Sequence, residues 1–108
     1  MLVVFYLLSC ASQNAANSPG CTGAADTFFY MASIRDEGLS LERQLALIES
    51  ADESPLAKRV MSGAARIVHG HSSTSAAAIR EIVLSGCSID DAGKVVLPAE
   101  WDPLKPAA

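Results

Sequence analysis

The chain holds two histidines, and they stand together as His69-Gly70-His71. Two imidazoles separated by one residue can share a metal ion when a carboxylate joins them, and no carboxylate is near in sequence. The glycine reads instead as a helix stop, with the rings around the last turn, where positive charge is favoured by the helix dipole. A nucleophilic serine of the Gly-x-Ser-x-Gly kind is absent, and the serines of the HSSTS run at 71–75 do the ordinary work of helix capping. Paired catalytic carboxylates need one acid in an apolar setting. Asp36, Glu37, Glu42, Glu49, Asp52 and Glu53 all fall at expected helix ends and turns that water reaches. These residues lead us to assign no catalytic residue, no metal ligand and no cofactor, and to expect a protein that is not an enzyme.

Cysteine is the remaining reactive residue type. Cys10, Cys21 and Cys87 fit neither a Cys-x-x-Cys pair nor a zinc pattern, because the spacings are wide and the histidines do not complete a set. One disulfide with a cysteine left over is simpler. Cys10 is the natural remainder, since it directly follows the apolar run MLVVFYLLS, so Cys21 and Cys87 are expected to bond. Such a bond persists outside the cytoplasm.

The amino-terminal segment agrees with export. Residues 2–8 are uninterruptedly apolar and are followed by small and polar residues, the pattern of a secretory signal, and the run is too short to span a bilayer. No Lys or Arg precedes Arg35, from which we expect either a start further upstream or an atypical signal. Leu7-Leu8-Ser9-Cys10 resembles the lipobox of bacterial lipoproteins. That resemblance implies lipid on Cys10, with residues 11–20 as a tether. Ordinary cleavage after Ala11 or Ala16 is the competing route, and either leads out of the cytoplasm to a periplasmic or envelope-attached location.

The elements that would position these residues are helical. With 108 residues the chain is one domain at most, half its residues are hydrophobic, and few of these are aromatic, so the core must come from aliphatic and alanine side chains. Ser18-Pro19-Gly20 is expected to break regular structure, and Thr22 to cap a first helix in which Phe28, Met31, Ala32 and Arg35 share one side. Gly38 supplies its left-handed stop. Ser40 caps a second helix with Leu41, Leu45 and Ile48 on one face, and the whole of 21–50 reads as a helical hairpin around which the chain is organised. Ser54-Pro55 starts a third helix with a stripe of Leu56, Val60, Ala64, Ile67 and Val68, Met61 flanking it, and Lys58, Arg59 and Arg66 at its margins or outside. A fourth passes through Ala76, Ile79, Ile82 and Val83 to Gly86-Cys87. Beyond it lie a turn at 90–93, an apolar run at 95–97 and three prolines. This tail is expected to be extended or disordered, with Leu97 or Trp101 laid in a groove of the bundle.

The expectation is thus an all-α fold, a small four-helix array or bundle stapled by one disulfide, with an extended C-terminal tail. Its parts are an export signal and tether at 1–20, a helical domain at 21–87 and the tail at 88–108. Helices joined by short loops must pack on each other, and the staple is worth about 4 kcal/mol in the loop-entropy picture.

Two features are not absorbed by caps and core. Arg35-Asp36-Glu37 places charges at a helix end, two of them acids where the dipole disfavours them by about 0.3–1 kcal/mol each. Phe28-Phe29-Tyr30 cannot all face one core, so at least one ring should lie at the surface or beneath the tail. We therefore take Arg35, Asp36, Glu37, Phe29 and Tyr30 as candidate partner-binding residues. The net charge of −4, with no basic run, speaks against nucleic acid, and membrane contact is expected only through lipid on Cys10.

An export segment, a cysteine opening the first helix, an Arg-Asp-x-Gly-x-Ser turn and a cysteine ending the last helix resemble small uncharacterised exported proteins of Gram-negative bacteria. The resemblance covers roughly residues 21–87 and brings no catalytic residue with it. The expected function is a non-enzymatic exported module that binds another envelope protein. The alternatives are an inhibitor or immunity-type protein against an envelope toxin and, requiring a buried polar cluster around His69 and His71, a small enzyme.

Overall fold

The computed structural model describes residues 19–105. The export segment, the lipobox and Cys10 lie outside the described residues. Four helices follow in order: α1 (Pro19–Asp36), α2 (Leu41–Ser50), α3 (Pro55–Gly70) and α4 (Ala76–Gly86). The fold is all-α apart from a two-stranded ribbon, and a disulfide joins Cys21 to Cys87 across 66 positions with the Cα atoms 5.7 Å apart.

Each helix begins where local chemistry puts it. Ser40, Ser54 and Ser75 sit in extended backbone just before α2, α3 and α4, and each side chain accepts the amide three residues on. Glu42 stands in the first turn of α2, and Pro55 opens α3. Gly38 turns the chain after α1 at φ 98°. The start of α1 differs from the expectation. The helix begins at Pro19, not after Thr22, because a proline in the first turn gives up an amide that would be unpaired anyway and its fixed φ already suits the helix.

α1 is the central helix. It packs on α4, α3 and α2, and its inward side presents Cys21, Ala25, Phe28, Met31, Ala32 and Arg35. Ile48 from α2, Ala64, Ala65 and Val68 from α3, and Ile79 and Val83 from α4 complete the core. Ala25 and Ala32 of α1 and Ala64 and Ala65 of α3 are fully buried, and side chains that small let helix axes approach closely. α1 and α4 run antiparallel: Cys21 meets Cys87, Asp26 meets Arg80, and Arg35 meets Thr74. Leu56 and Ile82 belong to the expected stripes but are exposed. The buried residues of α3 all lie in its second half, which leaves Leu56 in the first turn beyond the core.

The segment after Cys87 carries little regular structure, as expected, yet it is closely fitted to the bundle. β1 (Ser88–Ile89) pairs antiparallel with β2 (Val95–Val96), Ser88 opposite Val96 and Ile89 opposite Val95. The carboxylate of Asp90 closes the turn between them by accepting the amides of Ala92 and Lys94, and Gly93 adopts φ 81°. A single 3₁₀ turn, Ala99–Trp101, then drives Trp101 into the core. Its ring meets Phe28 edge-on at 5.7 Å between centroids and stacks on His71 at 4.5 Å. Leu97 packs against the same core, so both anchors considered for the tail are used.

Candidate functional site

The charged corner at the end of α1 divides in two. Arg35 follows Phe28, Met31 and Ala32 at helical spacing, so its stem points inward and its guanidinium reaches the junction of α3 and α4. There Nη1 donates to the carbonyls of Val68 at 2.7 Å and His71 at 3.0 Å, and Nη2 donates to the carbonyl of Thr74 at 2.8 Å. The carbonyls of Val68 and His71 at the end of α3 also accept the amides of His71 and Thr74, so Arg35 takes their second acceptor positions, and a cation is favoured there by the helix dipole. Asp36 offsets the charge from outside, its Oδ1 accepting from Nε at 2.9 Å and pairing with Nη2 at 2.8 Å. The expectation of Arg35 as an exposed recognition charge is therefore corrected. Burial along the α1 stripe turns it into the clamp that holds the α3–α4 connection, and its donors are spent on main-chain carbonyls.

Asp36 and Glu37 do face solvent, as do Phe29 and Tyr30, which are 39% and 60% exposed. Phe29 and Asp36 are seven residues apart, and so are Tyr30 and Glu37. Two helical turns separate the members of each pair, which places Phe29, Tyr30 and Asp36 on the outer side of α1 with Glu37 just past its end, aromatic in the middle and acidic at the carboxyl end. The tail covers Phe28 through Trp101 and leaves its two neighbours open.

Around the histidines the structure builds a polar link between helices that sequence reasoning missed. Gln44 of α2 is 1% exposed. Its amide nitrogen donates to the carbonyl of Met31 at 3.1 Å and lies 3.2 Å from the Met31 sulfur. That use of the nitrogen leaves Oε1 as acceptor, and Nε2 of His69 donates to it at 2.8 Å. The pKa of His69 is lowered, first by its loss of hydration and second by the charge of Arg35, so the neutral ring is favoured. His71 lies flat on Trp101. The signal for Gln44 was its place among Leu41, Leu45 and Ile48 at helical spacing, where a polar residue on an apolar face calls for a buried partner.

Among the described residues no group of three or more His, Cys, Asp or Glu is arranged to hold a metal ion, and no helix is long and apolar enough to cross a membrane. Comparison with known protein families, with characterised proteins and with solved structures returns no match. The function must be read from the arrangement itself.

Proposed function

We propose that this protein is a non-enzymatic exported module that binds another protein of the cell envelope through the outer side of α1. The observation that carries this reading is the exposure of Phe29 and Tyr30 side by side on a helix whose opposite face is locked into the core. Aromatic side chains contribute large contact area for few rotatable bonds, and tyrosine is enriched among the residues that dominate binding energy. Asp36 and Glu37, two turns further on, add negative charge that favours a partner with an apolar patch bordered by basic residues. The helix that bears them is held at its start by the disulfide and at its end by Arg35, so little ordering is required on binding. The disulfide is compatible with an oxidising compartment, and the apolar run at 2–8 is the basis for export.

In-cell crosslinking followed by mass spectrometry tests this. The intact chain is expected to trap a distinct envelope protein, and Phe29→Ala with Tyr30→Ala to reduce its recovery by about tenfold or more, while Glu81→Gln on α4 leaves recovery unchanged. Identical recovery for the intact chain and the double variant rules the face out.

A further inference from the structure

A second surface lies where α2, α3 and the C-terminal segment meet. It is an open groove of about 670 Å³ to which α1 contributes no residue. One wall is the solvent side of α3, where Lys58, Arg59 and Arg66 project. The other is the segment at 103–105, with Leu104 and Lys105. Four of the chain's eight basic side chains thus gather in one groove of a protein whose net charge is −4. Two acids, Glu49 and Glu53, stand with them at the end of α2 and in the turn after it.

These cations are not used to hold the fold together by pairing. The ion pairs among the described residues are Arg35–Asp36 and Arg80–Asp26, and neither involves a groove residue. Lys58 is partly engaged, donating from Nζ to the carbonyl of Glu49 at 2.7 Å. Arg59, Arg66 and Lys105 are exposed. Like charges crowded on one surface repel each other, and an anionic occupant relieves that repulsion.

We infer that this groove binds an acidic peptide segment of a partner protein. Three features favour a peptide. Arg59 and Arg66 are two turns apart, about 10 Å along the helix axis, a span that the long arginine stems bring within reach of carboxylates two or four residues apart, about 7 or 13 Å, on one face of an extended chain. Leu104 is half exposed on the opposite wall and offers an apolar contact that a peptide side chain can use. Glu49 and Glu53 repel a polymer of uniform negative charge, such as nucleic acid, but tolerate a polypeptide whose acids lie at one end. Arginine suits the task because its planar fork matches a carboxylate with two parallel hydrogen bonds.

The test is fluorescence anisotropy on the oxidised full chain with a short fluorescein-labelled peptide that is glutamate-rich at one end and apolar at the other, a lysine-rich peptide as control and inorganic phosphate as competitor. The glutamate-rich peptide is expected to bind saturably at low ionic strength, and to weaken as the screening length shortens to about 8 Å at physiological salt. The lysine-rich peptide is expected not to bind. Arg59→Gln with Arg66→Gln should weaken binding by about tenfold or more, and Tyr30→Ala should leave it unchanged, which separates this groove from the face on α1. Because Arg59 and Arg66 are exposed and unpaired within the chain, the double variant should keep the thermal midpoint of the parent. The inference is overturned by absence of saturable binding, by equal affinity of the double variant, or by complete competition from phosphate, which would make the groove a site for small anions.

Discussion

At the scale of the residue, Arg35 shows how a side chain suited to recognition is taken up by architecture. A guanidinium has five donors in a fixed fork, and here they satisfy three carbonyls contributed by the end of α3 and the loop before α4. Lysine carries the same charge but is a compact ammonium with three donors, and it cannot span the same carbonyls from the same stem. Arg35→Lys is therefore expected to lose part of this charge-assisted hydrogen bonding and to lower unfolding stability by about 1–3 kcal/mol, and Arg35→Met, which removes all of it, to cost at least as much, with little added by Asp36 because its carboxylate is half exposed. Chemical denaturation followed by circular dichroism measures both. If Arg35→Lys unfolds at the parent midpoint, the clamp contributes nothing and the charge alone suffices. The pattern that reveals this role is visible in the sequence, since Arg35 lies in register with Phe28, Met31 and Ala32. Composition pulls the other way, because three charged residues in a row at a helix end ordinarily belong to solvent.

At the scale of the element, the helices were legible and the way the tail crosses them was not. Serines before α2, α3 and α4, proline at the start of α3 and Gly38 after α1 are local signals, because each acts on a backbone group within four residues. Contacts between distant segments leave no such mark. Gly63 reads as an ordinary small residue inside α3, yet a Cβ placed there would fall 2.8 Å from Cα of Pro103 and closer still to its carbonyl. The absent side chain is what lets the C-terminal segment lie on α3, forming one wall of the basic groove and bringing Trp101 to Phe28 and His71. Two effects compete in Gly63→Ala. Helix propensity favours alanine by about 1 kcal/mol, while overpacking against rigid backbone costs about 1–3 kcal/mol. The clash should win, and the segment at 98–105 should lift. As the chain has one tryptophan, its emission reports the change directly: a shift to longer wavelength and a lower thermal midpoint for Gly63→Ala. Gly23→Ala, in α1 with nothing within 4 Å of the new methyl, is expected to raise the midpoint instead. Parent-like tryptophan emission from Gly63→Ala would mean that the segment accommodates the methyl without moving.

At the scale of the whole molecule, stability rests on few long-range ties. Helices of this length are marginal alone, and the core is rich in alanine, which buries little area per residue. The antiparallel pair α1 and α4 is pinned at both ends, by the disulfide where α1 begins and α4 ends, and by Arg35 where α1 ends and α4 begins. The cysteine pairing was open to inference from the sequence because elimination left a single partner for Cys21. Closing a loop of 66 positions removes unfolded-state freedom worth about 4 kcal/mol, while small domains have a total stability of about 5–15 kcal/mol. Reduction should thus remove a large part of what holds the molecule together. The oxidised protein is expected to resist alkylation at Cys21 and Cys87 until reductant is added. The reduced protein should unfold at a markedly lower denaturant concentration, by about 4 kcal/mol in extrapolated free energy. Because Arg35 still holds the opposite end, loosening should begin at the cysteine end, and hydrogen exchange should lose protection first in the opening turns of α1 and the last turn of α4. Oxidised and reduced protein unfolding at the same denaturant concentration would transfer that stabilising role to the Trp101 anchor and the Arg35 clamp.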